Sequence, residues 1–137
     1  MLMSKSENKR VYVLPGDGIG PEVVWPAISI LKQVALQGGF GLSLGYGAIG
    51  GHALDESGTP LAESTLEACR HSDAVLLGAV GGPKWDDNAP HLRPEKGLLA
   101  IRKGLKLYGN LRPVRLHKSL IDSSTLKPEV ISGVDLR

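Results

Sequence analysis

The 137-residue chain is long enough to bury one hydrophobic core, since 42% of its residues are hydrophobic, but it is short for two domains. Its 16 basic and 14 acidic residues give a net charge of +2, and the basic residues are scattered, so nucleic-acid binding is not indicated. The lone Cys69 excludes an intramolecular disulfide framework, and no spacing typical of a metal finger is found.

The first predicted elements are a buried strand, a glycine-rich loop and a helix. Val11 to Leu14 form a nearly continuous apolar run. Pro21 suits the first position of a helix, which is expected to run towards Leu36 and to end at the glycines 38–39. Pro26 should kink this helix or delay its start, because proline removes a helical hydrogen bond.

The loop between this strand and helix does not carry the Rossmann fingerprint. Residues 16–21 read G-x-G-x-G-P instead of G-x-G-x-x-G, and Pro21 lacks an N–H that a phosphate cradle would use. A glycine-rich turn is therefore favoured. It follows the carboxyl end of a strand, which is where open α/β sheets place their sites.

The next stretch predicts a strand, a polar loop and a second helix. Weak alternation over residues 42–46 indicates the strand, and residues 50–60 are polar, with His52 interpreted as a loop residue. The helix from Leu61 to about Arg70 places one group of side chains on its buried side: Leu61, Thr65, Leu66 and Cys69. Cys69 is expected to be a small buried hydrophobe rather than a nucleophile.

Residues 73–80 predict a third strand, the clearest buried strand of the chain, and residues 81–86 form a second glycine-rich exit. Two such exits imply parallel strands that are joined by helical crossovers, with their loops at one edge. The fold class predicted is therefore α/β. The apolar run 74–80 is too short to span a bilayer and the N-terminus lacks a signal-peptide pattern, so a soluble, cytoplasmic protein is expected.

A third helix, from Glu95 to about Lys106, has a face that its core stripe does not explain. The stripe consists of Leu98, Ile101 and Leu105. Leu99 points away from it, towards Glu95 and Arg102. A small ligand that is partly apolar and anionic would fit this face. Extended, irregular structure resumes at residues 110–114, where Pro113 interrupts the pattern.

Several motifs together resemble the isocitrate/isopropylmalate dehydrogenase family. They are LPGDGIGPE at 14–22, LLGAVGGPKWD at 76–86, RPEKGLL at 93–99 and NLRP at 110–113. The first is typical of the β-decarboxylating dehydrogenases as a whole, and the second and third are similar to those of the 3-isopropylmalate branch. The resemblance, over about residues 10–135, implies an open, mostly parallel sheet with helices on both faces that is not a Rossmann fold.

The resemblance also implies an activity. It is the NAD-dependent oxidative decarboxylation of 3-isopropylmalate in leucine biosynthesis, performed by a homodimer with Mg²⁺ or Mn²⁺. Hydride transfer gives an oxo acid, and the cation polarises its oxygen while the β-carboxylate leaves as carbon dioxide. The alternatives are a related dehydrogenase, acting on tartrate or homoisocitrate, and a non-catalytic ligand-binding fragment. Leu98 and Leu99 argue against the more polar substrates.

The resemblance further implies roles for individual residues. Arg102 and Arg112 match arginines that bind the malate carboxylates, and Leu98 with Leu99 match the isopropyl pocket. Glu95 matches a residue between the alkyl group and the nicotinamide. The implied cofactor-binding residues are Ile19, Gly82, Pro83, Lys84, Trp85, Asp86 and Glu95.

By the same likeness, residues 1–107 are the N-terminal part of a first α/β domain, and residues 108–137 begin a second, truncated one. The family's catalytic tyrosine and lysine and its metal-binding aspartates have no counterpart in the sequence. No catalytic residue and no metal ligand is therefore assigned, and the 137-residue chain alone is expected to be inactive.

Overall fold

A computed structural model describes residues 7–136. The chain divides into two compact units, Met1–Leu107 and Tyr108–Arg137, whereas its length alone predicts a single one. The larger unit contains, in chain order, β1 (Asn8–Gly16), α1 (Gly20–Gly38), β2 (Gly41–Tyr46), α2 (Gly51–Ser57), α3 (Glu63–Arg70), β3 (Ala74–Ala79) and α4 (Glu95–Gly104). Two single turns of 3₁₀ helix, Pro83–Trp85 and Pro90–Leu92, lie between β3 and α4.

The sheet of the larger unit has the strand order β2-β1-β3, and both pairs are parallel. Val13 at the centre lies opposite Tyr46 of β2 and Leu76 of β3. Helices make both crossovers, as parallel neighbours require. The predicted α/β fold with a parallel sheet is confirmed.

Helices pack on both faces of the sheet. On one face, Val11 and Val13 of β1 pack with Val24 and Ile28 of α1. On the other face, one cluster joins the sheet to α3 and α4: Leu14, Ile49, Leu66, Cys69 and Ile101. Burial raises the pKa of the Cys69 thiol, as expected for a core residue rather than a nucleophile.

Helix α1 differs from its prediction at its start. It begins at Gly20 and continues through Pro26, so of the two effects expected from that proline, a kink or a delayed start, the delayed start is wrong. Proline has no N–H to donate to the carbonyl one helical turn earlier. Because Pro26 is exposed, water can donate a hydrogen bond to that carbonyl instead. The helix ends where predicted, with Gly39 in the left-handed conformation at a φ of 67°.

Helix α2 occupies the stretch that the sequence predicted as a polar loop. Its first residues follow Gly50, whose φ of 75° and ψ of −138° are unusual for a residue preceding a helix. Gly50 has no side chain with which to cap the helix. The cap is instead the carboxylate of Asp17, which lies far away in sequence. A local pattern could not reveal this helix.

The smaller unit is built around a short antiparallel ribbon of β4 (Val114–Arg115) and β5 (Asp135–Leu136). Arg115 Nε lies 3.1 Å from Asp135 Oδ2. A 3₁₀ helix (Lys118–Ser123) and α5 (Pro128–Ile131) lie between the two strands, and Ile131 is buried. Across residues 7–136, no helix is both long and apolar enough to cross a membrane.

Candidate active site

The carboxyl edge of the sheet is tightly packed at the end of β1. The Asp17 N–H donates to the carbonyl of Ala79 at 2.7 Å, and the Asp17 carbonyl accepts from Gly20 N–H at 2.8 Å. A Cβ at Gly16 would collide with the carbonyl oxygen of Ala79, and one at Gly20 with that of Pro15. The glycines of this loop, the first exit (residues 15–20), therefore allow it to pack closely against β3 and α1.

Asp17 itself is a buried carboxylate, 4% exposed, within this packed loop. Its Oδ2 accepts the backbone N–H groups of Gly51 at 2.7 Å and Gly81 at 2.8 Å. Its Oδ1 accepts the N–H of His52 at 2.7 Å. The sequence prediction assigned no role to Asp17. The available signal was an aspartate between glycines at the end of a buried strand.

Ile19 precedes the first residue of α1 and is 57% exposed. It lies in the same loop as the buried Asp17, two residues further along. A large apolar side chain left in water beside a packed loop is available to a planar, partly apolar ligand. The position of Ile19 is thus compatible with the predicted contact to a nicotinamide.

The second exit, residues 81–86, is held from outside by α2. Lys84 Nζ lies 2.6 Å from Asp55 Oδ2, and Trp85 Nε1 donates to Asp55 Oδ1 at 3.3 Å. The Trp85 ring covers Gly51, where a Cβ would collide with it. The two hydrogen bonds to Asp55 lower the pKa of this exposed carboxyl group, the one from Lys84 most strongly. Asp55 was also missed, because α2 was not predicted.

Helix α4 presents the predicted mixed face. Leu98 packs beside Ile101 and Leu105 on the core, whereas Leu99 is 59% exposed, as its position off the stripe predicted. Arg102 is half-buried and lies one turn further along the helix. Two leucines and a guanidinium therefore line one part of α4.

The structure brings α4 against the second exit. Glu95 opens α4, and its Oε1 lies 2.7 Å from where a Cβ on Gly81 would stand. The predicted substrate-facing helix and the predicted cofactor-binding segment thus approach each other at Glu95 and Gly81. Arg112 belongs to the smaller unit, where it is exposed and its Nε lies 3.4 Å from Asn110 Oδ1.

A separate cavity of about 500 Å³ opens beside the first exit. Trp25 and Tyr46 line it, with ring centroids 6.0 Å apart, and His52 and Glu56 lie on α2 at its wall. None of the predicted site residues lines this cavity. Among residues 7–136, no group of three or more His, Cys, Asp or Glu side chains is placed to hold a metal ion.

The sequence of the chain is similar to those of several known dehydrogenases. The chain is 64% identical over 128 residues to a 3-isopropylmalate dehydrogenase of Geobacillus kaustophilus, and 63% identical to one of Bacillus caldotenax. These matches cover 93% of the chain but only 34% and 35% of the relatives, so the chain spans about a third of their length.

A solved structure agrees with these matches. The apo β-decarboxylating dehydrogenase of Thermococcus kodakarensis superposes with a TM-score of 0.64 and 42% identity, over 77% of this chain and 29% of that one. The sequence model of the isocitrate/isopropylmalate dehydrogenases matches residues 10–137. With its parallel sheet and its packed carboxyl edge, the chain belongs to the isocitrate/isopropylmalate dehydrogenase family.

Proposed function

We propose that this chain supplies the substrate-selecting face and part of the cofactor cleft of an NAD-dependent 3-isopropylmalate dehydrogenase, which acts in leucine biosynthesis. One observation carries the proposal: Glu95 brings the mixed face of α4 against Gly81, at the start of the second exit. A branched acid on α4 and a cofactor on the exit would then meet at this carboxylate. The names of the most similar relatives support the choice of substrate.

The substrate matches the chemistry of α4. Leu98 and the exposed Leu99 offer apolar surface to an isopropyl group. Arg102 offers a planar guanidinium, which can donate two hydrogen bonds to one carboxylate. For Arg112, the proposed second carboxylate contact rests on its motif and its exposure.

The cofactor fits the residues at the carboxyl edge. Ile19 gives apolar surface to a nicotinamide ring, and residues 82–86 give backbone groups and the Lys84 side chain, which Asp55 holds. NAD, when bound, accepts a hydride from the substrate. Glu95, whose carboxylate lies at Gly81, would orient both molecules.

The proposal assigns no ligand of Mg²⁺ or Mn²⁺ to the described residues, which hold no suitable cluster. Residues 1–107 are proposed as part of the first domain of the enzyme and residues 108–137 as the start of the second. A homodimer is proposed for the whole enzyme on the resemblance of its motifs, and a cytoplasmic location without nucleic-acid binding on the charge and hydropathy pattern of the sequence.

A chimera tests the function. Residues 10–137 replace the matching segment of the Geobacillus kaustophilus relative, and NAD reduction is measured with Mg²⁺ or Mn²⁺. We expect turnover of 3-isopropylmalate by the chimera and none by the 137-residue chain alone. A folded but inactive chimera, or one that prefers tartrate or homoisocitrate, would contradict the proposal. Turnover by the short chain would show that the chemistry lies within these residues.

Arg102→Lys in the chimera tests the carboxylate contact. Lysine keeps the charge but loses the two-pronged donor, so kcat/KM for 3-isopropylmalate should fall about tenfold or more. Lys103→Arg is the matched control, since Lys103 is exposed on the same helix. It should leave kcat/KM unchanged.

A further inference from the structure

The Asp17 carboxylate has no part in the roles assigned above, yet it joins three segments of the larger unit. It accepts N–H groups from the first two residues of α2, Gly51 and His52, and from Gly81. Its own backbone bonds connect it to Ala79 and Gly20. The first exit, the start of α2 and the second exit therefore meet at one side chain.

Burying a carboxylate is unfavourable unless hydrogen bonds offset the lost hydration. Asp17 has three such bonds, all between 2.7 and 2.8 Å, which is the range of charge-assisted contacts. Two of them also satisfy N–H groups at the start of α2 that would otherwise lack partners. Only a side chain with two acceptor oxygens can make all three bonds at once.

The bond to Gly81 lies at the point where the chain leaves β3 for residues 82–86. Gly81 has a φ of 102°, a conformation that L side chains rarely adopt, so glycine is the residue that suits this bend of the chain. Glu95 Oε1 lies against the same residue. The position of Gly81 therefore sets both the course of residues 82–86 and their distance from Glu95.

We propose that Asp17 is a positioning residue for the cofactor: by holding Gly81 against the start of α2, it keeps residues 82–86 in the conformation that binds NAD. The proposal rests on the proposed function, which places NAD at Ile19 and residues 82–86. It adds that the aspartate of the glycine-rich loop acts through Gly81 and not by touching the cofactor.

Asp17→Asn separates this role from simple packing. Asparagine has nearly the same shape but only one acceptor oxygen. If that oxygen takes the place of Oδ2, the amide group faces His52 N–H; if it takes the place of Oδ1, the amide group faces both Gly51 and Gly81. Either orientation loses at least one of the three hydrogen bonds that join the first exit, the start of α2 and the second exit. Asp87→Asn is the matched control, because it removes the same charge from an exposed residue beside the same segment.

The first arm is amide hydrogen exchange in the 137-residue chain. Trp85 N–H and Asp86 N–H bond within the second exit, to Gly82 and Pro83, and do not touch Asp17. In Asp17→Asn both should exchange about tenfold faster or more, whereas Leu66 N–H in α3 keeps its rate. Unchanged exchange at Trp85 and Asp86, or equal acceleration at Leu66, would overturn the proposal.

The second arm is kinetic and uses the chimera. Asp17→Asn should raise the KM for NAD about tenfold or more, while the KM for 3-isopropylmalate stays within about twofold. A role limited to stability would lower the unfolding temperature and leave both KM values unchanged, which would overturn the proposal. Should the unsubstituted chimera be inactive, the proposed function fails, and the exchange measurement still decides whether Asp17 holds the second exit.

Discussion

The two glycine-rich exits from the sheet, residues 15–20 and residues 81–86, are similar in composition but are held in opposite ways. The first is held from inside, by a buried aspartate and by glycines packed against Ala79. The second is held from its surface, by exposed contacts of Lys84 and Trp85 with Asp55. Similar compositions thus give one exit that is packed from within and one that is held through exposed side chains. The difference between the two exits depends on how closely the backbone of neighbouring segments approaches their glycines.

Gly16→Ala should break the first exit and have the largest effect. Its φ of 75° is strained for alanine, and the new methyl group would also collide with the carbonyl of Ala79. We expect a loss of about 3 kcal/mol or more in the free energy of unfolding. Urea unfolding followed by far-UV circular dichroism measures it.

Gly58→Ala is the matched control, because Gly58 has nearly the same φ, 71°, with nothing within 4 Å of the added methyl group. It should cost only about 1 to 2 kcal/mol. Equal losses at positions 16 and 58 would mean that close packing adds nothing to the first exit.

Asp55→Ala should loosen the second exit while leaving the fold nearly as stable. The change removes the partner of both Lys84 and Trp85, so acrylamide should quench Trp85 fluorescence more strongly. The measurement uses a Trp25→Phe background, in which Trp85 is the sole tryptophan. Glu56→Ala removes the same charge from the same helix and should leave quenching unchanged. Unchanged quenching in Asp55→Ala would show that the contact does not hold the loop.

The same contact predicts a smaller effect of pH. The hydrogen bonds from Lys84 and Trp85 lower the pKa of Asp55 in the folded chain. The contact therefore contributes fully above the usual aspartate pKa and is lost as the pH falls through the lowered value, below about pH 4. Quenching of Trp85 should rise in that range. In Asp55→Asn it should not change with pH, and a parallel rise there would refute the assignment to Asp55.

The sequence predicted what depends on local periodicity. The positions of the strands and the core stripe of α4 follow from the spacing of apolar residues, and the exposed Leu99 follows from the same spacing. The end of α1 follows from its glycines. Helix α2 was not predictable in this way. Its cap comes from Asp17, which lies more than 30 residues earlier in the chain.

The contacts across the site were beyond sequence reasoning for the same reason. Asp17 meets Gly81 because β1 packs parallel to β3, and Asp55 meets Lys84 because α2 lies against the second exit. Pro26 misled in the opposite direction. The expected delay assumed the full cost of the lost hydrogen bond, whereas the exposed position of Pro26 leaves the freed carbonyl to water.

The central claim is that the exposed part of α4 selects a branched substrate, and Leu99 tests it most directly. The measurement is the ratio of kcat/KM for 3-isopropylmalate to kcat/KM for malate, which lacks the isopropyl group, in the chimera with Leu99→Asn. Leu36→Asn, at an exposed leucine of α1, is the control. We predict that Leu99→Asn lowers the ratio about tenfold and that Leu36→Asn leaves it unchanged. An unchanged ratio in Leu99→Asn would contradict the account.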